Sequence, residues 1–252
     1  MMNIRTVGAS HGWRWIAQGA LIFRRNPSAW IMLIVALFIA SRVVFAVPLL
    51  GALALLLVPN FLAGLCHGAQ AVEQGKPLRF GYLASGFLKN AAALITLGGI
   101  SLVGQLLTLM AMTAVGGEAF TAISKTLTAA GSATPATVDA MRAAAPDVMK
   151  ALIAGIAISL PLMMAAWFAP LLVFFDDMKP LPALALSLWA CVKNALPLLI
   201  YGVIVISTMV LLMPLSLATR QPDLALWLLA PLLVPSIYAS YRDLFVVMSV
   251  DT

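Results

Sequence analysis

The stretches FRRNPSAWI (residues 23–31), FLKNAAALI (87–95) and CVKNALPLL (191–199) repeat one design. In each, a basic residue followed by asparagine stands at the threshold of an apolar run: Arg25-Asn26, Lys89-Asn90 and Lys193-Asn194. Each run is followed by a second apolar segment with a proline inside it, at Pro59, Pro170 and Pro235. The pattern reads as a helical hairpin used three times.

Composition decides the solvent. The 252 residues are 63% hydrophobic and 10% charged, with a mean hydropathy of +1.04. Soluble domains carry about a quarter charged residues, so water cannot solvate this surface and lipid must. Within a bilayer every backbone N–H and C=O needs an internal partner, which leaves helices or closed barrels. The runs here reach about 20 residues without period-2 alternation, so helices are expected. The fold class is therefore all-α: a polytopic helical membrane protein of six transmembrane helices, arranged as three two-span hairpin repeats with interfacial amphipathic helices.

The six spans are predicted near 27–47, 49–69, 91–115, 147–175, 195–218 and 224–242. They make one integral membrane domain over 1–252: an interfacial helix at 9–25, hairpin 1 at 27–69, hairpin 2 at 78–175 and hairpin 3 at 181–250. Hairpin 2 carries an insertion at 116–146, expected on the periplasmic side as two weakly amphipathic helices. These join at a Gly131–Pro135 turn, where Thr134 caps the second helix and Pro135 takes its first position. A surface flap is the expected role of this insertion and a lid is the alternative.

Ten basic residues lie on the N-terminal side (Arg5, Arg14, Arg24, Arg25, Lys76, Arg79, Lys89, Lys179, Lys193, Arg242) and five on the other (Arg42, Lys125, Arg142, Lys150, Arg220). That asymmetry places both termini in the cytoplasm. The four arginines among the first 28 residues argue against a cleaved leader, and the first apolar run is expected to stay as a signal anchor. The repeat extends beyond the thresholds. Gly75-Lys-Pro-Leu78 resembles Met178-Lys-Pro-Leu181, and Leu94 and Gly98 recur as Leu198 and Gly202. Two-span units preserve direction, so the copies are parallel repeats about an axis along the membrane normal.

A short segment precedes each threshold. From Trp13 to Arg25, Trp13, Ile16, Ala17, Ala20 and Leu21 share one helical face while Arg14, Gln18 and Arg25 share another. This is an interfacial helix with a tryptophan anchor. Leu78 to Lys89 repeats the pattern less cleanly, through Phe80, Leu83, Ala84 and Phe87. Leu181 to Val192 is apolar nearly all round and is expected to be buried against protein, with Ala183, Ser187 and Asn194 on one small-residue face.

No catalytic set is legible. There is no His-Glu-x-x-His, Gly-x-Ser-x-Gly or phosphate-cradling glycine loop, and no enzyme activity, cofactor or metal is expected. Cys66 and Cys191 give no disulfide framework and read as small packing residues. The basic residues flank spans rather than form a soluble basic stripe, which argues against nucleic acid.

Two groups of polar residues remain. Arg42, Asn60 and Gln105 are the candidate intramembrane set. Arg42 lies about 24 Å along the first span from Asn26, where it snorkels or pairs with Glu118 or Asp223; a path through the membrane is the alternative. Pro59 frees the carbonyl of Leu55, and Asn60 is expected to bond backbone across the bundle. The second group is a cytoplasmic-rim cluster: Asn26, Asn90, Asn194, Asp176, Asp177, Tyr238, Tyr241, Arg242 and Asp243. An acid at a helix C-terminus opposes the dipole, so Asp176 or Asp177 is expected to have a cationic partner, with Arg242 the candidate. Structural pairing is the expectation for this rim. Recognition of a lipid headgroup or a partner protein is the alternative.

Gly12-Trp-Arg-Trp15, Phe23-Arg-Arg-Asn-Pro27 and the closing Tyr238-Ala-Ser-Tyr-Arg-Asp243 resemble an uncharacterised family of proteobacterial inner-membrane proteins. Asp177 followed by Pro180, Ala183, Ser187 and Asn194 is similar to a pattern in a wider set, including the membrane domain attached to some glycerophosphodiester phosphodiesterases. The resemblance implies a six-span helical protein of a bacterial inner membrane. It implies no activity, because the soluble hydrolase domain of those phosphodiesterases has no counterpart here. The functional expectation is a non-enzymatic accessory or scaffold that binds the bilayer and another inner-membrane protein or a lipid. The alternative is a transporter or lipid-moving protein that uses Arg42, Asn60 and Gln105.

Overall fold

The basic-Asn thresholds interrupt the helix for one residue at Asn26 and at Asn194, and for two, Lys89 and Asn90, between α4 and α5. Asn26, Asn90 and Asn194 all leave the helical backbone region, at φ −145°, +55° and −116°. Each asparagine carbonyl nevertheless accepts the first hydrogen bond of the span that follows, from the N–H of Trp30 (3.1 Å), Leu94 (3.0 Å) and Leu198 (3.2 Å). That is the backbone position of an N-cap, although the Asn26 and Asn194 side chains do not cap their helices. Proline at the first helical position supports three starts, at Pro27, Pro48 and Pro180.

The computed structural model describes residues 3–128 and 135–246. A two-residue strand β1 (Asn3–Ile4) leads into α1 (His11–Arg25), α2 (Pro27–Phe45), α3 (Pro48–Glu73), α4 (Gly81–Leu88), α5 (Ala91–Thr128), α6 (Pro135–Phe175), α7 (Pro180–Lys193), α8 (Ala195–Ala218) and α9 (Leu224–Leu244), and ends on β2 (Phe245–Val246). Six helical stretches are long and apolar enough to cross a membrane: Pro27–Phe45, Leu49–Glu73, Ala91–Gly117, Arg142–Phe175, Ala195–Ala218 and Leu224–Leu244. The protein is an all-α polytopic membrane protein, and its only departure among the described residues is the antiparallel pairing of β1 with β2. Residues 131–134 of the expected turn, with the Thr134 cap, lie outside the described residues, as does the side chain of Glu118, while Pro135 begins α6 as expected.

The chain forms two compact units. The first comprises residues 1–98 and 165–252. Its elements fall into three trios of a short helix and two spans. Each short helix packs on the second span of another trio. α4 lies on α3, where a Cβ at Gly86 would stand 2.0 Å from the Asn60 carbonyl oxygen. α7 meets α6, where the Ser187 hydroxyl accepts the Phe168 N–H at 3.0 Å. α1 lies on α9 and α8, with Gly12, Trp15, Gly19 and Ile22 buried.

That last contact corrects the reading of α1. Trp13 and Leu21 are exposed as an interfacial face requires, but the helix has a second apolar face at i, i+3, i+7 and i+10, and Trp15 on it is fully buried. α7 needs a correction too. Ala183, Ser187, Ala190 and Cys191 are buried, whereas Leu181, Trp189 and Val192 are exposed, so only its small-residue face meets protein.

α3 ends in a Schellman motif. Gly75 takes φ +80°, the Gly75 N–H reaches the Val72 carbonyl (3.0 Å), and the Lys76 N–H reaches Ala71 (2.9 Å). The second unit, residues 99–164, joins the adjoining parts of α5 and α6. Gly104 faces Leu162 there, and Gly155 faces Met112. Gly117, at φ +57°, breaks α5 between its membrane-length part and the helical turns beyond it.

Two neighbouring glycines test the packing directly. A Cβ at Gly98 would stand 2.0 Å from the Leu56 carbonyl oxygen, and one at Gly99 meets nothing within 4 Å. Gly98→Ala therefore destabilises the protein by about 1–3 kcal/mol through overpacking. Gly99→Ala stabilises it by up to about 1 kcal/mol through helix propensity. Thermal unfolding of the two variants in detergent checks the opposite signs.

Candidate functional site

The polar residues singled out in the sequence gather mainly at the end of the first unit where α3, α6 and α9 finish and α2, α5 and α8 begin. Each of these second spans ends in acid: Glu73, Asp176-Asp177 and Asp243. The negative end of a helix dipole disfavours a carboxylate, so each acid requires a donor.

Asp243 receives three. Its Oδ2 accepts the Trp15 indole N–H at 2.8 Å and lies 2.6 Å from His11 Nδ1, and its Oδ1 accepts from Arg5 Nη1 at 3.1 Å. Asn194 holds the same N-terminal segment. Its Oδ1 accepts the Val7 N–H at 2.9 Å, and its Nδ2 donates to the carbonyls of Arg5 (3.1 Å) and Ala190 (3.0 Å). Glu73 is bonded by the Arg242 guanidinium and by the Tyr238 hydroxyl at 3.2 Å. Arg25 caps the same helix end by donating to the carbonyls of Val72 (3.2 Å) and Glu73 (2.7 Å).

Asp176 accepts the Tyr241 hydroxyl, and Asp177 Oδ1 accepts from Asn90 Nδ2 at 2.7 Å and Lys89 Nζ at 3.3 Å. Arg242 is therefore the partner of Glu73, not of Asp176 or Asp177. Asn90 also donates to the Val173 carbonyl at 2.8 Å. Asn90 and Asp177 both sit at positive φ, +55° and +53°, a region that asparagine and aspartate tolerate better than most side chains.

The two neighbouring carboxyls are pushed in opposite directions. Burial raises Asp176, against the lowering effect of the Tyr241 hydrogen bond. The hydrogen bonds from Asn90 and Lys89 lower Asp177, which is exposed.

Within the spans, Asn60 is fully buried and donates to the Gly86 carbonyl at 2.8 Å. This is the bond to backbone across the bundle expected of it. Arg42, in the last turn of α2, donates to Gln221 Oε1 at 2.9 Å and pairs with Asp223, whose Oδ2 also accepts the Trp227 indole N–H at 2.9 Å. Gln105 belongs to the second unit and is exposed. His67, which attracted no role, has its Nδ1 2.9 Å from the Ser85 hydroxyl. That hydroxyl donates to the Tyr82 carbonyl at 2.6 Å, so the Nδ1–H is the donor between the two. This is a clip between α3 and α4 rather than an activated nucleophile.

Glu73 and His11 are rim residues to which sequence reasoning assigned no role, and Trp15 and Lys89 stood in its motifs but outside the expected cluster. Glu73 carried the same signal as Asp176, an acid at the end of an apolar helix. Trp15 was marked by its spacing to Gly12, Gly19 and Ile22.

Two measurements test these bonds. Asp177, with its pKa depressed, contributes stability above the ordinary carboxylate range, and this is lost as pH falls through the depressed value. Asn90→Ala removes the largest cause of that depression. The variant is therefore less stable at neutral pH but loses less on acidification below about pH 4; thermal midpoints across that range show the smaller slope. For the other end of the bundle, Arg42→Ala lowers stability, and the loss shrinks by about 1 kcal/mol or less in an Asp223→Ala background, as read in a double-mutant cycle.

The chain is 30% identical over 208 residues to a probable inner membrane protein of Burkholderia thailandensis, spanning 81% of this chain and 75% of the relative. No family model matches the chain, and no solved structure matches it. Six membrane-length helices accord with the relative's description, and at this identity and coverage the chain belongs to that family of probable inner membrane proteins.

Proposed function

We propose that the protein is a non-enzymatic accessory or scaffold of the bacterial inner membrane, with both termini cytoplasmic, that holds another membrane protein or lipid. The observation that carries this reading is the way its polar groups are used. Glu73, Asp176, Asp177 and Asp243 are each bonded to groups of the same chain, and in the spans Arg42 is engaged by Asp223 and Asn60 by Gly86. A transporter concentrates polar groups on a shared path at midplane, and these are spent on joining helices.

The orientation follows from charge. Ten basic residues fall on the threshold side of the spans, against five on the other. Asp177, Ser187 and Asn194 make struts between elements in this chain. Pro180 starts α7, and Ala183 is buried on it.

α8 offers a wide apolar face, with Leu199, Val203, Ile206 and Val210 exposed at helical spacing. Site-specific photo-crosslinking along α8 in native membranes tests the proposal. A protein adduct recurring at those four positions and absent from the intervening ones is the expected result. Lipid adducts alone, together with saturable solute uptake by reconstituted vesicles, would overturn it.

A further inference from the structure

We infer that the threshold rim is a binding surface for the phosphate headgroups of anionic phospholipid, built from the outer faces of α1, α4 and α7. The argument begins with what the rim leaves unpaired. Its described acids, Glu73, Asp176, Asp177 and Asp243, are occupied by Arg242, Tyr241, Asn90 with Lys89, and Arg5 with His11 and Trp15. Arg25 is turned to backbone carbonyls. Six of the rim's cations remain exposed with no acidic partner among the described residues: Arg14, Arg24, Lys76, Arg79, Lys179 and Lys193. Arg24, Arg79 and Lys193 stand in the last turn of α1, just ahead of α4, and in the last turn of α7.

On α1 and α7, and immediately ahead of α4, one large aromatic is exposed beside a cation. Trp13 is 59% exposed next to Arg14, Phe80 is 52% exposed next to Arg79, and Trp189 is 54% exposed with the Lys193 ammonium 5.2 Å from its ring centroid. Exposed Leu21, Leu88 and Leu181 extend the same faces. The orientation rule alone accounts for cations in this region. It does not account for a tryptophan or phenylalanine exposed beside them at three separate places, on α1, on α7 and at the start of α4. Aromatic rings that sit at headgroup depth, with cations reaching phosphate oxygens, account for both. A soluble acidic partner would match the charge and leave the apolar faces in water. A lipid leaflet matches both, so the surface is assigned to lipid.

The ligand is a phosphate diester in a lipid whose headgroup adds no compensating positive charge. Arg24 and Arg79 suit such a group because the guanidinium fork can bond two phosphate oxygens at once. The inference rests on membrane residence alone and is independent of any protein partner.

The test uses the full chain purified in a neutral detergent, with native mass spectrometry of retained lipid and thermal unfolding as readouts. Phosphatidylglycerol is expected to be retained and to raise the unfolding temperature where phosphatidylcholine does not. Arg24→Gln, Arg79→Gln and Lys193→Gln together are expected to weaken that retention about a hundredfold, at about fivefold for each cation. The three side chains bond no acid, so the variant loses only their helix-dipole and ring contacts, and binding is read from the difference in unfolding temperature between phosphatidylglycerol and phosphatidylcholine. Equal retention of the two lipids by the wild type, or unchanged phosphatidylglycerol affinity in the triple variant, would overturn the inference. So would a matching stabilisation by inorganic phosphate, which would make the site one for a free anion. Stabilisation by polyglutamate with none from phosphatidylglycerol would transfer the surface to an acidic protein. Retention of phosphatidylglycerol by Arg24→Gln alone, reduced only about fivefold, supports a distributed surface.

Discussion

Hydrocarbon offers the backbone no hydrogen bonds, so each break in a span must occur where a side chain or a carbonyl can repair it. The first unit of this protein is organised around such repairs. The basic-Asn thresholds are the places where a helix stops and another starts within one or two residues, and each asparagine carbonyl carries the new helix's first bond. Pro59 opens a gap deeper in α3, and Asn60 beside it ties that helix to the Gly86 carbonyl at the end of α4. Gly86 and Gly98 make the approach possible because a side-chain carbon at either position would overlap the backbone of α3.

The three thresholds share letters but not bonds. Asn90 reaches across to the end of its own hairpin at Val173 and Asp177, Asn194 holds the N-terminal segment through Arg5 and Val7, and the first threshold ties to α3 through Arg25. What repeats is the backbone problem, and each copy solves it with the neighbour it happens to have. The N-terminal segment fills such a place in the third copy. β1 pairs with β2, the Arg5 N–H reaches the Leu244 carbonyl at 2.9 Å, and α1 lies on α9 as α4 lies on α3.

Hydropathy and the thresholds made the six spans legible, because apolar length is a local property that lipid rewards directly. Partners were less legible. Arg242 was matched to the nearest acids in the same motif cluster, yet it bonds Glu73, which lies 169 positions away and belongs to a helix end whose own acid attracted no attention. Trp15 shows a different failure. A helix at an interface carries one apolar face toward lipid and another toward protein, and their sum looks like a single broad face. Only the glycines at 12 and 19, small enough to let α8 and α9 close in, separate the protein side from the lipid side. Arg42 was read with Asp223 among its possible partners, since the two stand near the same membrane depth on helices of known direction.

The asymmetry of bonding at the rim follows from the direction of the helices. Second spans finish there, so acids near their ends oppose the dipole and persist only where a donor is built in. Glu73, Asp176, Asp177 and Asp243 each have one. The short helices α1 and α7 also finish there, and their last turns carry Arg24, Arg25 and Lys193, which the same dipole favours without any partner. Acids at this rim are therefore consumed by the fold while cations are left over. A surplus of positive charge facing outward, beside exposed Trp13 and Trp189, is a consequence of the topology before it is a property of any ligand. Selection for binding needed only to retain it.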